Sequence, residues 1–247
     1  MFTELATWFD GVKAEFVLNF IEKSRWKLLW NGLQNTLIIT ALALMIGIVL
    51  GVLIATVRTT WDKNELTMRK GLGRTALAFG DWLCRLYTTV IRGTPVVIQL
   101  MIMYFIIFAA SDNGVMIATL AFGLNSGAYV SEIFRGGIMS IDKGQFEAGR
   151  SLGLSRWQTM KLIVFPQALK TALPALCNEF IVLIKETSVL AYIALTELTK
   201  AGDYIRSKTY SAFTPYIVSG VLYLVVTGVL TKLLGMLERR LRQGDNR

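Results

Sequence analysis

Apolar residues gather along this chain into five long blocks, over 33–57, 86–110, 114–134, 174–195 and 215–236. Each approaches the ~20 residues that a helix rising ~1.5 Å per residue needs to cross ~30 Å of hydrocarbon. Polar stretches separate the blocks, and Asp112-Asn113-Gly114 marks a tight turn between the second and third. Gly47 and Gly51, four apart in the first block, predict a helix-packing contact. Residues 1–30 follow another pattern. Leu5, Trp8, Phe9, Val12, Phe16, Val17 and Phe20 recur at helical spacing among acidic and basic residues. That predicts an amphipathic helix in the membrane interface, not a cleaved signal peptide, which would carry a compact apolar run. The pattern as a whole predicts an all-α membrane protein of about five transmembrane helices. Its parts are an interfacial segment at 1–30, a transmembrane domain at 31–240 with a polar loop at 140–170, and a tail at 241–247.

Composition supports this reading, with 53% hydrophobic and 17% charged residues in 247. Soluble domains carry nearer a quarter charged. A net charge of +9 would suggest nucleic acid in a soluble protein. Here the basic residues flank apolar blocks, which points to membrane orientation and anionic headgroups and away from nucleic acid. With the C-terminus cytoplasmic and the N-terminus outside, 18 of the 26 Lys and Arg fall on the inner side, as the positive-inside rule prefers. The expected location is a cell membrane crossed by several helices. The chain has no histidine and only Cys84 and Cys177, which excludes histidine catalysis and argues against Cys/His metal sites. It also has no G-x-x-x-x-G-K-[ST] phosphate cradle, so any nucleotide energy must come from a partner.

The polar loop carries the most specific signal. Glu147-Ala148-Gly149, three residues, Gly153, nine residues, Ile163 and then Pro166 resembles the EAA motif of permease subunits in ATP-binding-cassette importers. Gly149 departs from the motif's second alanine and Phe165 from its leucine, while the spacing is intact. Arg92-Gly93-Thr94-Pro95, the run 125–138, the run 178–188 and Glu238-Arg239-Arg240 resemble the polar amino acid branch of that family. The resemblance implies a type I importer fold, a second permease copy as homodimer or related heterodimer, two cytoplasmic ATPase subunits and an extracytoplasmic solute-binding protein. It implies no cofactor in this chain and no enzymatic step, with ATP and Mg bound by the ATPase. The loop would dock that ATPase through Glu147, Ala148, Gly149, Arg150, Leu152, Gly153, Leu154, Arg156 and Pro166. Leu152, Leu154 and Trp157 would enter a groove, Gly149 and Gly153 would permit close approach, and Arg150 and Arg156 would meet acidic groups.

Polar groups at mid-membrane depth are the candidates for a substrate route. Asn125 and Ser126 fall near the middle of the third block, and Asn178, Glu179, Lys185 and Glu186 fall in the fourth. Helical periodicity places Asn178 with Lys185 on one stripe and Glu179 with Glu186 on the next. Acids and a base on neighbouring stripes suit an amino acid zwitterion. Pairing of Lys185 with Glu186, or with Glu132, purely to neutralise charge is an equal alternative. Glu132 near the inner edge completes the acidic candidates. Thr94, ahead of Pro95, marks a kink whose freed backbone groups suit a carboxylate. A different class, a secondary amino acid transporter driven by an ion gradient with Lys185 and an acid as proton relay, remains the alternative.

Overall fold

The structure is a computed structural model and describes residues 2–65, 68–211 and 213–243. Among them it is helical nearly throughout and contains no strand. Ten α-helices follow in order: α1 Phe2–Phe16, α2 Trp26–Asn64, α3 Leu72–Gly93, α4 Val96–Ile102, α5 Gly114–Met139, α6 Lys143–Ser151, α7 Arg156–Thr159, α8 Phe165–Glu186, α9 Leu198–Thr209 and α10 Thr214–Gln243.

α5 is the central rod and packs on α2, α3, α4 and α8. Lipid tails are as apolar as Leu, so helix association in a bilayer depends on close packing. Both partners of the main contact supply glycine for it. A Cβ on Gly47 would meet Ser126 Oγ at 2.8 Å, and one on Gly51 would meet Val130 Cγ1 at 2.5 Å. From the other side, Gly123 and Gly127 face Ile46 and Leu50. The predicted packing role of Gly47 and Gly51 is thus observed, with a matching glycine pair on α5. Phe122, Ile117, Ile39, Leu183 and Leu190 fill the core beside it.

Two expected blocks differ from the observed elements. The block 86–110 begins inside α3 and crosses a sharp break, where α3 and the helical stretch from Val96 to Ile107 meet at 105°. Thr94 is extended and Pro95 lacks an amide, so the helix stops and restarts there. The block 174–195 is not one helix: α8 starts upstream at Phe165, ends at Glu186 and gives way to a 3-10 turn over Thr187–Ile193. Among the described residues three helices are long and apolar enough to span a membrane, or four counting the bent pair. α8 falls short of that because it carries Lys170, Glu179, Lys185 and Glu186, yet it packs along α5 inside the bundle.

α1 is helical, as the spacing predicts, with Trp8, Val12 and Phe16 exposed, while the side chains of Leu5 and Phe9 lie outside the described set. The anticipated end of the interfacial segment at 30 falls inside α2, which starts at Trp26. Residues 244–247 of the tail lie outside the described residues. The turn at 112–114 becomes a helix start, where Asn113 caps α5 by accepting from the Met116 amide at 3.0 Å. From Arg156 to Glu186 the backbone is helical without interruption, because a π turn over Met160–Val164 joins α7 to α8.

Candidate functional site

Three groups of polar residues emerge, at the break between α3 and α4, at the crossing of α5 with α8, and in the 147–166 loop.

At the break, Pro95 leaves carbonyls without amide partners, and Gln99 one turn later satisfies them. Its amide nitrogen donates to Ile91 O at 2.8 Å, Thr94 O at 3.1 Å and Thr94 Oγ1 at 2.8 Å. Its oxygen accepts from Asn125 Nδ2 at 3.1 Å. The next residue on α5, Ser126, is fully buried and donates to Glu179 Oε1 of α8 at 2.9 Å. Thr94, Gln99, Asn125, Ser126 and Glu179 therefore form a polar chain across three elements at the middle of α5. Tyr87 of α3 adds a hydrogen bond to Leu124 O beside it. Sequence reading missed Gln99, although its place four residues beyond Pro95 is the signal that finds it.

The remaining candidates separate from this chain. Asn178 and Lys185 are exposed on the far stripe of α8. Lys185 lines a groove of about 370 Å³ with Ser188, Thr199, Tyr216, Ser219 and Tyr223. Glu186 is half-buried at the end of α8, within electrostatic reach of Glu179 and Lys185. Glu132 joins neither group and does not pair with Lys185. It bonds Arg58 and meets Arg135 at 3.2 Å, while Arg135 reaches Asp62 at 3.6 Å and Arg85 bridges Asp62 at 3.1 Å and Asp81 at 2.6 Å. This layer of ion pairs locks α2, α3 and α5 together, so Glu132 has structural partners.

The 147–166 loop folds into α6, α7 and the π turn. Asp142 caps α6 by accepting from the Gly144 amide at 2.6 Å. Ser155 and Gln158 form a capping box on α7, an S-x-x-Q signature legible in the sequence but not singled out there. Gly153 follows α6 with φ +80°. Its amide donates to Arg150 O at 3.0 Å and the Leu154 amide to Gly149 O at 3.1 Å, the two bonds of a Schellman motif. Nothing lies within 4 Å of a Cβ on Gly153, so within this chain the residue serves the turn and leaves its outer side open. Gly149 does make a close approach, but an internal one: its Cβ would sit 2.6 Å from Thr159 Cγ2. Thr159 is buried, which explains why glycine replaces the motif's alanine here.

Leu152 is 79% and Trp157 69% exposed, an apolar pair left uncovered by the chain's own fold. Glu147, Ala148, Arg150 and Arg156 are exposed and Leu154 half-exposed, while Pro166 sits in the first turn of α8. Beneath them Phe146 packs with Ile138, Val164 and Ala168, and Lys63 Nζ lies 3.6 Å from the Phe146 ring centroid. The loop is thereby tied to the ends of α2 and α5.

Comparisons with known proteins converge on this architecture. The chain is 41% identical over 175 residues to the glutamine transport system permease protein GlnP of Escherichia coli, covering 68% of this chain and 80% of that one. It is 40% identical over 167 residues to the arginine transport system permease protein ArtQ of Bacillus subtilis, covering 66% and 76%. Among solved structures it resembles an amino acid ABC transporter crystallised with histidines, with TM-score 0.76, 37% identity, and 90% of this chain and 98% of that one covered. The MetNI methionine ABC transporter in an inward facing conformation shares the fold at TM-score 0.71 and 18% identity, covering 87% and 97%. The fold is thus that of type I importer permeases, in a multi-pass protein of the bacterial inner membrane. The signature described as "Binding-protein-dependent transport system inner membrane component" matches residues 71–243, and the chain belongs to that family.

Proposed function

We propose that this chain is the membrane-spanning permease of an ATP-driven importer that moves a polar amino acid into the cytoplasm unchanged. The observation that carries the reading is the 147–166 loop, a capped platform that presents Leu152 and Trp157 outward. In this reading a separate ATPase binds ATP and Mg, docks on that platform and drives the bundle between inward-open and outward-open states. The N-terminus faces outside, the C-terminus is cytoplasmic, a binding protein delivers substrate, and two permease copies line the route. The likeness to glutamine and arginine permeases, and to a transporter crystallised with histidines, supports a polar amino acid as substrate. Gln99, Asn125, Ser126 and Glu179 are its proposed contacts on this subunit: Gln99 bonds Asn125 and Glu179 bonds Ser126, the next residue on α5.

The test is uptake in proteoliposomes holding the permease, its ATPase and the binding protein. Accumulation is expected only with ATP inside the compartment that holds the ATPase. Uptake by the permease alone on an ion gradient would refute the reading. Glu179→Gln is expected to cut uptake of a cationic amino acid by tenfold or more, and of a neutral one by less, since ~1.4 kcal/mol of lost charge pairing is a factor of ten. Equal loss for all substrates would remove Glu179 from the recognition set.

A further inference from the structure

At the end of the bundle opposite the 147–166 loop lies a pocket of about 630 Å³, lined by Lys23, Arg25, Lys27 and Lys208 with Tyr204 and Leu28. Among the described residues no carboxylate lines it and no ion pair neutralises these cations. Lys27 Nζ stands 5.9 Å from the Trp26 ring centroid and Lys208 Nζ 5.4 Å from that of Tyr204. Arg25 is braced by donating to Leu18 O at 2.5 Å. Two consecutive left-handed residues, Lys23 at φ 54° and Ser24 at φ 53°, turn the chain between α1 and α2 and bring these side chains together.

Depth identifies the ligand class. The apolar span of α2 opens at Trp26, inside this cluster. Trp26 and Trp30, one turn apart, are 50% and 55% exposed, and Ile21 is 56% exposed. Tryptophans at the mouth of a span mark the headgroup layer, with acyl chains immediately below. A cationic pocket at that level, flanked by exposed apolar side chains, fits a ligand that is anionic at one end and apolar at the other.

We propose that this pocket binds the phosphodiester headgroup of an anionic phospholipid, whose acyl chains run down beside Trp26 and Trp30. The site is separate from the proposed substrate contacts and does not depend on which solute is carried.

The experiment is native mass spectrometry of the delipidated permease–ATPase complex, with phosphatidylglycerol or phosphatidylcholine added back. The wild-type complex is expected to retain phosphatidylglycerol over phosphatidylcholine by about fivefold or more, and a Lys23→Gln/Lys27→Gln/Lys208→Gln variant to lose most of that preference. A control with Lys143, Arg239 and Arg240 changed to Gln keeps the preference if the effect is local. Soluble glycerophosphoglycerol competes only weakly if the acyl chains contribute, whereas displacement by inorganic phosphate alone would show a free-anion site and overturn the lipid assignment. Equal retention by the wild type and the pocket variant would also overturn it, as would an equal loss in the control. Unchanged lipid binding with lost capture of the binding protein would assign the cations to protein docking instead. Retained ATPase co-purification of the pocket variant shows that it has folded.

Discussion

Gly153 adopts φ +80°, and its left-handed backbone closes the motif that ends α6. A side chain there costs ~1–2 kcal/mol. Gly153→Leu is therefore expected to insert normally but to weaken ATPase capture about tenfold in a pull-down titration, since Leu152 and Leu154 flank the turn. Unchanged capture would show that the turn does not shape the platform. The motif's spacing locates this glycine in the sequence. Its reason was not legible, because spacing records position and not backbone angle. Asp203 in α9 gives a second test. Hydrogen bonds from Lys200 at 3.0 Å, Arg206 at 2.9 Å and Tyr216 at 3.0 Å hold its carboxyl down at about 2. With the folded value below the unfolded ~3.9, its stabilisation is complete above about pH 4 and is lost as pH falls through about 2. Solvent screening keeps it on the order of 1 kcal/mol or less. The melting-temperature gap between wild type and Asp203→Asn should stay constant from pH 7 to pH 5 and shrink below pH 4; a gap that widens in acid would contradict the assignment.

At the level of elements, the contact between α2 and α5 depends on absent side chains. Gly51→Ala drives a methyl into Val130, whereas Gly228→Ala on α10 meets nothing within 4 Å. The first is expected to destabilise by ~1–3 kcal/mol through overpacking, and the second to be neutral or slightly stabilising. Thermal unfolding in detergent measures both, and equal shifts would mean that the helices sit further apart. Apolar length and glycine spacing made α2, α5 and α10 legible. The bend at Thr94-Pro95 was legible as a kink, but its 105° angle and its repair by Gln99 depend on a side chain a turn away. α8 was misbounded because an apolar window cannot distinguish α-helix from the 3-10 turn that follows Glu186. Of its two polar stripes the one with Asn178 and Lys185 is exposed, while Glu179 on the next turns inward to Ser126, a difference that periodicity alone does not encode.

Across the whole molecule, a layer of ion pairs links α2, α3 and α5, and within it Glu132 holds Arg58 and Arg135. Arg58→Met leaves this half-buried carboxylate with Arg135 alone and is expected to cost ~3 kcal/mol. The double variant Arg58→Met/Glu132→Leu should recover most of that, because replacing a whole buried pair is tolerated better than halving it. A double variant no better than the single would show that Arg58 acts through other partners. Single-chain patterning identified the charges but not their mates, since Arg58 and Glu132 lie 74 residues apart in sequence and meet only through packing. The helix that runs unbroken from Arg156 to Glu186 has a mechanical consequence in the proposed transporter. It is a lever roughly 45 Å long by helical rise. One arm bears Trp157 and the other bears Glu179, so a nucleotide-driven tug at the lower end would reach the solute contacts as a swing, and the π turn over Met160–Val164 and Pro174 mark the two places where the stroke would bend the rod.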